Sequence, residues 1–118
     1  MSRVVFRRLD RDLVLRRLHA YAREELARRP EVQRVVLIGS LARGNWSARS
    51  DADVVVVVTS AAEPGAFRSS AYLPSTSVGA PVDVLVYTEE EAATWSPRFG
   101  AEVQHGIVLY DREALRNG

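Results

Sequence analysis

Two spacings of apolar residues alternate along the chain. From Asp10 to Arg29, Leu15, Leu18, Ala22 and Leu26 recur at intervals of three and four, with Val14 and Tyr21 widening the stripe, which predicts an amphipathic helix packed on a core. Asp10 or Asp12 can cap its start, Arg28 and Arg29 suit the negative end of its dipole, and Pro30 stops it. The runs VVLI at 35–38 and DVVVVV at 53–58 do not alternate, so both read as buried, central strands. VDVLVY at 82–87 alternates in part: Val82, Val84 and Val86 face one side, Asp83, Leu85 and Tyr87 the other. GIVLY at 106–110 is a fourth strand.

Between these elements the pattern is weaker. The stretch from Thr59 to Pro81 is rich in Ser, Ala, Pro and Gly without a clear period, and fits a short helix from Ala66 to Tyr72 or a loop equally well. Thr88 and Glu91 have capping-box spacing and open a helix that Pro97 must interrupt. The expected fold is a single domain over residues 1–118, α/β (α+β), with a mixed sheet of about four to five strands flanked by helices.

Composition narrows the chemistry. There is no cysteine, which excludes disulfides and thiolate-bound zinc, and His19 and His105 lie at no zinc-ligand spacing, so oxygen ligands remain. All 16 basic residues are arginine, which excludes a P-loop lysine and a lysine Schiff base. No apolar run approaches the roughly 20 residues of a membrane span, so a cytoplasmic protein is expected. The net charge of +1 hides a split: residues 1–49 carry twelve arginines and five acids, residues 50–118 four arginines and ten acids. Such asymmetry suits a polyanion or simply a solvated helix face, with nucleic acid the weaker alternative.

The chemistry concentrates in GSLARGNWSARSDAD, residues 39–53. Residues two apart on a strand share a face, so Asp51 and Asp53 present two carboxylates roughly 6–7 Å apart along the backbone. Asp83, on another buried strand with its side chain opposite the valine face, can complete the cluster. Two like charges about 4 Å apart repel by roughly 4 kcal/mol at an effective dielectric near 20, a large fraction of the about 5–15 kcal/mol that stabilises a domain. Protons or cations must offset that repulsion, and an oxygen-only, incomplete shell favours Mg²⁺, with Mn²⁺ able to substitute.

Before the aspartates, Gly39 and Ser40 end a strand. If the chain enters a helical turn there, backbone amides and the Ser40 hydroxyl form an anion site, and Arg43 adds a charged fork. A phosphate cradle beside a cation cluster describes phosphoryl or nucleotidyl transfer. Ser50 reads as a turn residue that orients Asp51, and Arg49 as a solvated charge. Trp46 reads as core, with a base-stacking or partner-anchoring role as the alternative; Trp95, Phe99 and Tyr21 read as core.

The pattern G-S-x3-G-x5-S-D-x-D, carried by Gly39, Ser40, Gly44, Ser50, Asp51 and Asp53 and followed by Asp83 in PVDVLVY, resembles the minimal nucleotidyltransferases of the DNA polymerase beta superfamily. EVQHGIVLY, residues 102–110, resembles that family's C-terminal strand. The resemblance implies that Asp51, Asp53 and Asp83 are catalytic metal ligands, that Gly39, Ser40, Arg43 and Ser50 meet the nucleotide, and that AMP passes from ATP or another NTP to a hydroxyl. Small members of this kind resemble the antitoxin half of bacterial HEPN–MNT pairs, which implies a HEPN-type partner protein. The alternative is a module that binds nucleotide or partner without catalysis and silences a toxin by contact. Leu41 departs from the resemblance, standing where many relatives carry arginine or another polar residue.

Overall fold

The Asp10 carboxylate accepts the Leu13 amide at 3.1 Å and so opens helix α1, Arg11–Glu24. The computed structural model of the chain describes residues 9–62 and 67–117. Val14, Leu18, Tyr21 and Ala22 are buried on the predicted stripe, and Leu26 joins them from a 3₁₀ turn, Leu26–Arg28. The α-helix ends before Arg29 because its last turn tightens into this 3₁₀ segment ahead of Pro30.

Strands β1 (Val32–Ile38), β2 (Ala52–Val58), β3 (Val82–Thr88) and β4 (Ile107–Asp111) form one mixed sheet in the order β3-β2-β1-β4. The two continuous aliphatic runs are indeed the central strands. β1 runs antiparallel to β2 and to β4, whereas β2 and β3 are parallel. β3 is thus an edge strand buried only at Val84 and Val86, which corrects the expectation that Asp83 sits on a buried strand; its half-alternating sequence suits this partial cover.

The sheet sorts its side chains by parity. Val35, Leu37, Ala52, Val54, Val56, Val84 and Val86 pack with α1 in the main core. Val36, Ile38 and Val55 face the other way, into a smaller core with Val103, Leu85, Tyr87, Trp95 and Phe99. The three aromatic rings of that core stand 5.1–5.7 Å apart by centroid. Each fully buried valine or leucine contributes about 1.5–3 kcal/mol.

Four short helices complete the described residues: α2 (Ser40–Arg43), α3 (Glu89–Ala92), α4 (Pro97–Gln104) and α5 (Arg112–Asn117). Thr88 and Glu91 form the predicted capping box. Pro97 starts α4 instead of interrupting a longer helix, because the Ser96 hydroxyl caps it and proline suits the first helical position. The ambiguous segment holds a 3₁₀ turn, Ser69–Tyr72, while Ala66 lies outside the described residues. Among the described residues no helix is long and apolar enough to cross a membrane.

Candidate active site

The C-terminal end of β1 and the N-terminal ends of β2 and β3 meet at one edge of the sheet. Ile38, the last residue of β1, is the register partner of Asp53. The chain then turns through Gly39 at φ +83°, and a Cβ built on that residue would lie 2.6 Å from the Asp53 Oδ2. Glycine is required there twice over, for its backbone angle and for the carboxylate that lies against it.

Asp53 pairs directly with Asp83 across the parallel β2 and β3 strands, on the face of the smaller core. Asp51 stands two residues earlier, immediately before β2. Asp53 is half-buried, whereas Asp51 and Asp83 are exposed. Burial pushes the Asp53 carboxyl above the usual range, and the negative charges of Asp83, Asp51 and Glu102 push it further, against an opposing pull from Arg43. The predicted trio is therefore brought within electrostatic reach at one sheet edge.

Among the described residues no three acidic or histidine groups stand together closely enough to hold a metal ion as they are placed. The donor set nevertheless fits a hard divalent cation: oxygen ligands alone, two exposed, around a carboxyl that burial and then its acidic neighbours make costly to ionise. Ligation by an incomplete set of carboxylates plus substrate oxygens is how Mg²⁺ is commonly held.

The residues around the Gly39–Ser40 turn are organised by serines. The Ser40 hydroxyl donates to the Ser50 oxygen at 3.0 Å, and the Ser47 amide donates to that same oxygen at 2.8 Å, so the loop carrying Asp51 is pinned to α2. The amides of Ala42 and Arg43 turn back to the Gly39 carbonyl and that of Gly44 to Ser40, so these three are used inside the turn instead of pointing outward. Leu41 is fully buried in the main core, which accounts for an apolar residue at that position. Trp46 is 38% exposed in the same loop, which corrects the expectation of core packing: the short connection from Gly44 to Ser50 keeps it at the surface.

Arg43 does not stand alone. Its Nη1 donates to the Glu102 Oε2 at 2.7 Å across the mouth of a cleft of 370 Å³ lined by Gly39, Arg43, Arg98, Glu102, His105 and Gly106. The sequence reading missed Glu102 and Arg98, which lie one helical turn apart on α4, a spacing that signals one shared face once the helix is placed. It also missed Arg11, whose Nε donates to the Leu41 carbonyl at 2.9 Å and fastens α2 to α1. His19 lies on α1, whereas His105 caps the C-terminal end of α4 and lines the same cleft as Arg43 and Glu102.

Known proteins share this fold. The chain matches the nucleotidyltransferase domain family over residues 20–107. A candidate nucleotidyltransferase from Sulfolobus solfataricus is 22% identical over 87% of this chain and 85% of its own, with a TM-score of 0.61. A toxin-antitoxin structure with AMP-PNP is 17% identical over 92% of this chain and 79% of its own, and a mutant of the toxin-antitoxin MntA-HpeT is 14% identical over 87% and 77%, each with a TM-score of 0.50. No curated protein matches significantly. At these identities the solved structures share the fold, and the family match spans most of the chain, including β1, the Gly39–Ser40 turn and all three aspartates. This chain belongs to the nucleotidyltransferase domain family.

Proposed function

We propose that the chain transfers a nucleoside monophosphate, AMP from ATP, to a hydroxyl of a partner protein and releases pyrophosphate, acting as the antitoxin of a HEPN-type toxin. The observation that carries this reading is the direct register pairing of Asp53 with Asp83 beside the Gly39–Ser40 turn. The toxin-antitoxin structures among the fold relatives, one with AMP-PNP, support the nucleotide and the protein partner.

Asp51, Asp53 and Asp83 would hold Mg²⁺ or Mn²⁺, which when bound neutralises the triphosphate and favours the attacking oxygen. Gly39 and Ser40 border the phosphates, Ser50 fixes the loop that presents Asp51, and Arg43 supplies positive charge. In the reaction the acceptor oxygen bonds to the α-phosphorus while the bond from that phosphorus to the bridging oxygen breaks. Pyrophosphate leaves with the electron pair. The hydroxyl proton passes to the acidic rim, where Asp83 stands on the open flank of the sheet.

Labelled ATP, Mg²⁺ and a HEPN-type partner provide the test. Label should move to the partner with the wild-type chain and not with Asp51→Asn combined with Asp53→Asn. Transfer that survives the double variant would overturn the reading. A double variant that still neutralises the toxin in cells would favour silencing by contact alone.

A further inference from the structure

We propose that Glu102 is a charge latch on this site: it occupies the Arg43 guanidinium until a nucleotide polyphosphate displaces it. The inference rests on the nucleotidyl-transfer reading above and names a residue that this reading does not use. Glu102 belongs to α4 and Arg43 to α2, separate elements that meet at one bond of 2.7 Å. The carboxylate therefore sits where Arg43 would otherwise turn toward an anion. Glu102 also lines one cleft with Gly39, against which the Asp53 carboxylate lies, so it is not a remote surface group.

The pair is built to exchange. Both side chains are partly exposed, at 55% and 37%, and such ion pairs are weak. A single carboxylate oxygen bonds one guanidinium nitrogen, whereas a phosphate offers several oxygens for paired contacts. Arg98, one turn before Glu102 on α4, lines the same cleft and offers a second guanidinium to the incoming tail. A triphosphate thus gains two cations as it replaces one carboxylate. A nucleoside monophosphate has no tail to make that exchange, so Glu102 acts on how the tail is held and leaves the rest of the nucleotide alone.

Calorimetry with Mg²⁺ and a non-hydrolysable ATP analogue, with AMP in parallel, tests the latch. Glu102→Gln should bind the analogue about two- to fivefold tighter, the range expected from removing a weak exposed pair, with AMP unchanged. Arg43→Ala should bind it more weakly, and adding Glu102→Gln to Arg43→Ala should give a smaller gain than Glu102→Gln gives alone, because the latch acts chiefly through that arginine. An unchanged or weakened Glu102→Gln, or an equal gain in the Arg43→Ala background, would overturn the latch while leaving nucleotidyl transfer standing. A wild-type chain that binds neither the analogue nor ATP would remove both.

Discussion

The Asp53 carboxylate rests against the bare Cα of Gly39, with Oδ2 2.6 Å from where a methyl group would be. The two residues come from adjacent strand ends, so the Gly39–Ser40 turn and the acidic cluster are one packing unit. Gly39→Ala should strain the turn at φ +83° and push Asp53 aside. A misplacement of about 1 Å costs on the order of 100-fold in rate, and the strain and overlap about 1–3 kcal/mol of stability. Transfer of labelled nucleotide and thermal unfolding, measured on the same preparation, check both.

Asp53 also makes stability depend on pH in a set direction. Burial first, and then Asp83, Asp51 and Glu102, raise its carboxyl above the ordinary value, so the folded state favours the protonated form. That preference stabilises the fold below the unfolded pKa and is lost as pH rises through the folded one. In cation-free buffer at neutral pH, Asp53→Asn should therefore unfold at a higher temperature than wild type, and the advantage should vanish in acid. Thermal melts across pH 3 to 8 check it.

Divalent cations should reverse that order. At a concentration about 100 times its dissociation constant, Mg²⁺ or Mn²⁺ would stabilise wild type by about 2.7 kcal/mol. The gain should fall away in Asp53→Asn and shrink in Asp51→Asn and Asp83→Asn, while chelator returns wild type to its starting point. Melting curves with and without cation measure this.

Leu41 is fully buried between α1 and the sheet, one residue after Ser40. Leu41→Arg, the residue type that the family resemblance leads one to expect, should cost several kcal/mol, because an unpaired charge would enter an apolar core. Denaturant unfolding should show a much lower midpoint, whereas Leu41→Met should stay close to wild type.

Glu31, just before β1 at the end opposite the Gly39 turn, contributes to the acid limb of stability. Burial alone would raise its carboxyl, but the Tyr72 hydroxyl, which donates to it at 2.7 Å, its own backbone amide, and the charges of Arg29 and Arg112 outweigh burial and hold it below the usual range. A lowered folded pKa contributes stability above the unfolded value that is lost as pH falls. Glu31→Gln should unfold more readily at pH 7 and show a flatter acid limb, read from unfolding midpoints at pH 3 to 7.

The parts of this fold legible in the sequence are those set by local periodicity. The stripe on α1, the two aliphatic strands, and the parity that separates Val84 and Val86 from Asp83 and Leu85 each follow from side chains a few residues apart. The shared side of Asp51 and Asp53 was legible for the same reason, whereas Asp83, on a separate strand, was reached only through the cost of leaving carboxylates near one another and the family resemblance. The Arg43–Glu102 pair left no local trace, because 59 residues separate its members and only the packing of α4 beside β1 brings them together. The edge position of β3 was hidden too, since one alternating strand does not say how many neighbours it has. Pro97 was misread because proline breaks a helix interior yet suits a helix start, and only the Ser96 cap distinguishes the two.

β2 and β3 align residue for residue from Ala52–Val82 to Val58–Thr88. Sliding one strand by a single position would turn Asp83 toward the apolar layer under α1 and send Val82 or Val84 out to water. Oily side chains thereby proofread the placement of the acids: a chain that settles into the wrong alignment forfeits its interior along with its chemistry, and so cannot persist as a well-folded but inert decoy.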